Sequence, residues 1–554
     1  MDTFDLTTPQ KANINTCNVI KYKPPVSAGS YGLGIENTKN FERRPHAPDS
    51  CQRALAGPFH ARRLTMAINQ VPIAGIGQAE VERTRSSDPP TTQQIRSLGP
   101  AGDPGPRGHV PLVVSILADL ETAYRNKPSS QYTARILKAI YESPGITRKG
   151  LVSSCRMRPG TVTGIVAKLV DDNLVCELRP AAPSERGRPE IALHINKRKW
   201  LAIAVFCVST EMQAVLIDSF EDVICSASVE IPSLADNSDF EQCIARLVDS
   251  LLSDNSRPDE STILGISLSV PGIVDSAHQT WVFSARWPKM RNLALAQLEE
   301  TLGIEVSIRR QLDVKLNYEM VLKPELRSGN TLLFYWGYGI GGAFASQGEI
   351  VSSQTGVFCQ IGHIAINPES VKPCLCGRLG CLETEAAYWA LQPEIARLYS
   401  DIVDNNEFQA ASFLKEHAIF DQEFFKKAQK SVAYALSYLQ AILVPDHVLL
   451  SGMFLENTTV QDSLVKRMRQ LSPPFVADAA KIEFIGITDS WNPGAIAFFD
   501  FKQAFEAYIG HPSSQRPSPA GLGVAERDST AAPAGFSPTD ERSESDDSRS
   551  ESVD

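Results

Sequence analysis

The stretch GHIAINPESVKPCLCGRLGCLE, residues 362–383, decides how the rest of the chain is read. It holds three of the eleven cysteines, Cys374, Cys376 and Cys381, and His363 stands eleven places before the first of them. Glycines at 377 and 380 let the loop fold tightly around one centre. Three thiolates and an imidazole fill a tetrahedral zinc shell, and a zinc with all four positions taken by protein keeps none for a reacting water. His363, Cys374, Cys376 and Cys381 are therefore expected to hold a structural Zn(2+); the competing reading is a cysteine-rich loop without metal. The remaining cysteines are scattered, unlike the dense framework of a secreted disulfide protein, so reduced thiols are expected.

Working outward, 554 residues exceed one ordinary domain, and 43% hydrophobic with 21% charged residues is the balance of a soluble globular chain. The opening lacks the basic start and apolar run of a signal peptide, and no eighteen-residue apolar run follows, so no membrane insertion and a cytoplasmic location are expected. A net charge of −10 excludes a uniformly basic nucleic-acid coat, but the charge is unevenly spread. Residues 128–200 carry thirteen Lys or Arg against six Asp or Glu, whereas 521–554 carry nine acids against three arginines.

Residues 1–110 are broken by Pro, Gly and Ser clusters without sustained periodicity and read as a mostly disordered extension; 511–554 read as a disordered acidic tail. Between them, helices are predicted over 112–125, 133–143, 148–155 (capped by Thr147) and 160–173, then short strands over 174–178 and 190–195. Three helices and a hairpin make a winged helix-turn-helix, here placed at 111–196. Arg158, Thr161, Thr163 and Lys168 would lie near DNA in the major groove, Arg148 and Lys149 are further DNA-binding candidates, and the Arg186-Gly187-Arg188 loop would enter the minor groove. The competing reading is a basic docking module. From 197 to 510, strand-length apolar runs alternate with amphipathic helices, which predicts two α/β lobes around a cleft. The glycine-rich Gly337-Tyr338-Gly339-Ile340-Gly341-Gly342 reads equally as a phosphate cradle or a tight hairpin.

With these pieces in order, the chain over about 112–508 resembles the ROK family of repressors and sugar kinases. The marks are GHIAINPE…CLCGRLGCLE, GYGIGGA, SVPGIVD and a basic head ending in RGRP and IALHIN. The resemblance implies a winged helix-turn-helix followed by a two-lobed actin-like ATPase (ROK) domain, with sugar in the cleft beside a structural zinc. It also implies where this chain departs. The kinase phosphate loop aligns its aspartate with Phe206 and its glycines with Val208 and Ser209, so kinase activity is not expected. The general-base motif reads Gln311-Leu312-Asp313, leaving Asp313 as a vestigial base, and a sugar-binding glutamate becomes Gln360. Gln360, His363, Glu383 and Asp313 are the implied ligand pocket. The reading is a regulator, in the repressor sense, of carbohydrate genes, binding a double-stranded DNA operator as a homodimer or homotetramer and sensing a sugar or sugar-phosphate effector. Two rivals stay open: a sugar kinase with an added DNA-binding head, and a ligand-independent regulator controlled by a protein partner.

Overall fold

The computed structural model describes residues 96–98, 111–178, 190–353, 356–399, 407–416, 419–487 and 492–510. The expected extensions lie outside these apart from β1 (Arg96–Leu98), which pairs antiparallel at the edge of the first large sheet. The loop carrying Arg186 and Arg188 also lies outside them.

Four helices open the described chain: α1 (Leu112–Ala123), α2 (Pro128–Glu142), α3 (Arg148–Cys155) and α4 (Pro159–Asp171). Pro128 closes one helix and begins the next, five residues before the predicted start, because a residue with no N–H and a fixed φ suits the first helical position. Thr147 caps α3 as expected, its hydroxyl accepting from the Gly150 amide at 3.2 Å. Arg156, left-handed at φ 53°, turns the chain toward α4. The antiparallel pair β2 (Val175–Leu178) and β3 (Ala192–Ile195) follows.

In the first lobe, β4 (Trp200–Val208), β5 (Glu211–Asp218) and β6 (Val223–Glu230) form an antiparallel meander, and α5 (Asn237–Leu252) packs on it. β7 (Thr262–Val270) pairs parallel to β4. A small antiparallel sheet of β8 (Ile273–Asp275), β9 (Thr280–Phe283) and β10 (Arg291–Ala294) precedes α6 (Ala296–Leu302), and β11 (Val306–Arg310) then pairs parallel to β7. Helix α7 (Gln311–Leu322) leads into the second lobe, which repeats the plan. There β12 (Asn330–Trp336), β13 (Ile340–Ser346) and β14 (Glu349–Ile350) are antiparallel. After α8 (Leu382–Ala386), α9 (Tyr388–Leu398), α10 (Glu407–Glu416) and α11 (Glu423–Leu443), β15 (His447–Ser451) returns parallel to β12. Helices α12 (Thr458–Leu471) and α13 (Pro474–Ala477) precede β16 (Lys481–Phe484), which lies parallel to β15. The glycine-rich segment is a hairpin, since β12 and β13 pair through to Trp336 and Ile340.

The last helix, α14 (Pro493–Gly510), packs on β4 and β7 with one side and on α1 and α2 with the other. β4 is buried along almost its whole length because helices cover both faces of its sheet. Residues of α1 to α4, β4 and α14 share one continuous core. Within it Phe505 meets Trp200 edge-on at 4.9 Å between ring centroids and Tyr141 at 6.4 Å.

Asp500 is a buried carboxyl on α14, and Gly265 leaves it room: a Cβ there would stand 3.1 Å from Oδ1. Burial pushes Asp500 up to about 7, against the pull of Arg309. An unfolded aspartate titrates near ~4, so the folded chain keeps a proton that the unfolded chain releases, and this group lowers stability as pH rises from about 4 through about 7. Asp500→Asn should flatten that part of the fall in urea midpoints across the same range; an unchanged slope would place the titration elsewhere.

Candidate functional site

Between the lobes lies a cavity of about 160 Å3. The first lobe contributes Pro271, Gly272 and the segment Phe283–Arg286, and the second contributes the hairpin Tyr338–Gly341 with Gln360, His363, Glu383 and Glu407. The hairpin must be glycine-rich here for steric reasons. A Cβ on Gly339 would stand 2.9 Å from Glu383 Oε1, and one on Gly362 would stand 2.4 Å from the Ile340 carbonyl.

Three expected pocket residues, Gln360, His363 and Glu383, come together on this wall. Glu383 is buried, its Oε1 accepts from the Ile340 amide at 3.0 Å, and burial raises its carboxyl above the usual range. The carboxyl therefore faces the cavity already oriented, as a group that reads ligand hydroxyls must. Asp313 is placed differently. Arg310 holds it with two hydrogen bonds, at 2.6 and 3.1 Å, and donates a third to the Phe358 carbonyl at 2.9 Å. Arg310, Gln311 and Leu312 line the cavity, and Asp313 is not among its lining residues.

Arg286 and Glu407, which sequence reasoning missed, complete the cavity wall. Arg286 of the first lobe lies over the Tyr338 ring at 3.8 Å and stands 3.9 Å from the Glu407 carboxylate. Glu407 accepts from the Tyr335 hydroxyl at 3.0 Å and from the Tyr338 amide. Arg286 also reaches Ser209 at 3.5 Å, in the β4–β5 turn where the resemblance places a kinase phosphate loop. Phe206 of that segment is buried, and Ser209 is left-handed at φ 57°. No local motif marks Arg286 or Glu407, because the site draws them from segments far apart in the sequence.

Against the same wall, the ligand atoms of His363, Cys374, Cys376 and Cys381 all lie within 4.8 Å of one another. His363 Nδ1 is 3.4 Å from Cys374 Sγ, and Cys376 Sγ is 3.6 Å from Cys381 Sγ. The sulfurs of a tetrahedral zinc shell stand about 3.8 Å apart, given Zn–S bonds of ~2.3 Å. The set therefore fits a metal ion. Burial pushes Cys374 up to about 12, with Cys376 and Cys381 adding to the rise, so three thiolates so close require a cation. Gly380, at φ 68°, makes the loop possible, since a Cβ there would meet the Asn367 carbonyl at 1.9 Å. The cluster could hold a metal and leaves no protein position of a four-coordinate shell open for chemistry.

The expected DNA-facing residues sit on the N-terminal helices. Arg158 and Thr163 are exposed, Thr161 and Lys168 half-buried. Arg148 pairs with Glu177, and Lys149 with Glu190 at 3.5 Å. Among the described residues, no helix is long and apolar enough to cross a membrane.

Two repeated lobes, a cleft and a cluster of one histidine and three cysteines beside it define a sugar-kinase-like, actin-type architecture. The ROK family matches residues 204–491, just over half of the chain, so the chain belongs to the ROK family. A glucokinase of Halalkalibacterium halodurans is 28% identical over 259 residues, covering 43% of this chain and 76% of its own. The DNA-binding transcriptional repressor Mlc of Escherichia coli is 22% identical, with 44% of this chain and 59% of its own covered. The dual regulator NagC of the same organism is 23% identical, with 48% and 64% covered. The chain thus spans about three fifths of the length of those two regulators. The solved structure of a ROK family transcriptional regulator, a homologue of Escherichia coli Mlc, superposes with a TM-score of 0.53 at 19% identity, covering 69% of this chain and 97% of that one. That likeness shows the fold.

Elemental analysis of the purified chain should find about one metal ion per chain, as the four-ligand set requires. Cys376→Ser should lower both metal content and thermal midpoint, while Cys359→Ser, at a position that lines the cavity outside the cluster, should leave metal content unchanged. A metal-free chain with an unchanged midpoint would show the cluster to be a thiol loop.

Proposed function

We propose that the chain is a sugar-responsive transcription regulator, acting as a repressor in the cytoplasm. Residues 111–196 are a winged helix-turn-helix that binds an operator in double-stranded DNA, with α4 as recognition helix. The observation that carries this reading is the shared core joining the head to the lobes, because it makes the head part of the same body as the cleft. The match to the solved regulator supports it, since it covers a larger share of this chain than residues 197–510 hold.

The outward face of α4 suits close approach to DNA. Gly160, Thr163, Gly164 and Ala167 are exposed, and a Cβ on either glycine would meet nothing within 4 Å. Arg158 and Lys168 flank this face, with Thr161 beside it, and Arg186 and Arg188, outside the described residues, are the proposed minor-groove contacts. Arg148 and Lys149 at the start of α3 would exchange their acidic partners for backbone phosphates.

In the cleft, Gln360, His363 and Glu383 take a sugar or sugar phosphate, and Asp313, the vestigial base, holds Arg310 against the cavity wall. Phosphoryl transfer needs groups that handle ATP phosphates and magnesium, which Phe206 cannot do, and Val208 cannot take the positive φ such a loop often needs. The metal is structural zinc on His363, Cys374, Cys376 and Cys381, fixing the ring of His363 against the cavity. A ligand that binds one lobe arrangement better shifts the placement of two heads in a homodimer or homotetramer, and with it their fit to paired half-sites.

The test pairs thermal-shift screening against hexoses, amino sugars and their phosphates with footprinting on the chain's own upstream DNA. At least one sugar should raise the midpoint and release the footprint, and Arg158→Ala should weaken binding and reduce the salt slope by about 1. Robust sugar-dependent ADP release would instead assign the chain to the kinases. Normal DNA binding with no sugar response would leave a ligand-independent regulator.

A further inference from the structure

The end of α14 abuts the N-terminal head. The Ile509 carbonyl accepts from the Ser130 hydroxyl at 2.7 Å, and the Tyr508 hydroxyl donates to Asp172, the residue that closes α4. The chain that continues from Gly510 therefore starts beside the helix whose other end carries Arg158. Its residues 540–554 hold seven acids against two arginines. The head is oppositely charged, and its exposed Arg156 and Arg158, with half-buried Lys168, form no ion pair with a described residue.

We infer that residues 540–554 of this chain dock on the cationic face formed by Arg156, Arg158 and Lys168, where they compete with DNA. The competition rests on the DNA-binding reading; the docking itself does not. Geometry permits it. Helix α4 has 13 residues, so its start is about 20 Å from its end at 1.5 Å per residue. Twenty-nine residues, 511–539, separate Gly510 from the acidic run. At up to about 3.3 Å per residue, 29 residues reach well beyond that distance, and tethering on this scale gives a local tail concentration of order 1 mM. At that concentration a contact too weak to detect between separate molecules is substantially occupied within one. Its salt sensitivity follows from its makeup, because surface charges are screened over ~10 Å at 0.1 M salt. Duplex DNA offers a denser line of charge and displaces the tail when its sites engage the whole head.

Three proteins decide this: the chain as it stands, a chain stopped after Thr539, and a full-length chain with the seven acids of 540–554 changed to Asn or Gln. Binding to a short labelled duplex of mixed sequence should be about three- to tenfold tighter for the second and third proteins at about 50 mM salt, converging at about 300 mM. Without DNA, backbone amides over 156–168 should exchange faster in those two proteins than in the intact chain. Equal exchange in all three overturns the docking. An exchange difference with no duplex binding by any form keeps the docking and removes the DNA-binding reading. Protection that fades on dilution assigns the tail to a second copy and overturns the intramolecular contact, and protection that survives neutralisation of the acids overturns its electrostatic basis.

Discussion

The ring of Phe505, set between Trp200 and Tyr141, is the contact on which the arrangement of this molecule depends. It comes from the last helix, Trp200 from the first strand of the first lobe, and Tyr141 from a helix of the N-terminal head, so three parts distant in sequence close on one aromatic side chain. Tyr141 extends the cluster by stacking on Phe220 at 4.9 Å. Removing a buried ring of this kind costs about 3–5 kcal/mol, a large fraction of the stability of a typical domain. The head is thus not tethered by a linker. It shares its apolar interior with the lobe it rides on, and Arg327 adds a polar tie by gripping Asp119 of α1 with two contacts of 3.0 Å.

The same economy appears at the end of β11. Successive residues on a strand point to opposite faces, and here both are arginines. Arg309 lies over the Phe499 ring of α14 at 3.9 Å, while Arg310 turns to the cleft, binding Asp313 and the Phe358 carbonyl. One short segment therefore touches both the helix that carries the head and the wall of the cavity between the lobes. His363 plays a comparable double part, facing the three sulfurs with one nitrogen while lining the cavity.

What is legible in the sequence follows from how local each feature is. The cluster of His363 and three cysteines can be read because its members fall within nineteen residues and glycines interrupt them at the turns. The helices of the head can be read from their prolines and caps, although Pro128 signals only a stop in sequence and is also a start in the fold. Two lobes follow from alternating strand and helix patterns, but their repeated plan does not, because it resides in pairing order and not in residue type. The glycine segment stays ambiguous until strand pairing fixes it as a hairpin. Arg286 and Glu407 carry no spacing signal, and only the closing of the two lobes brings them together across the Tyr338 ring. Asp313 can be placed in line with its family motif, yet its partner Arg310 lies just before that motif and changes what the carboxylate faces.

The bare glycines of α4 have one further consequence. Each weakens an exposed helix by about 1 kcal/mol relative to alanine, and neither is needed for packing, since open space surrounds both. Alanine can be installed at 160 or 164 with a gain in helix stability and no steric penalty at its Cβ. Folding therefore leaves this surface free, a place where sequence can drift, or be engineered, toward new molecular preferences while the core beneath it stays as it is.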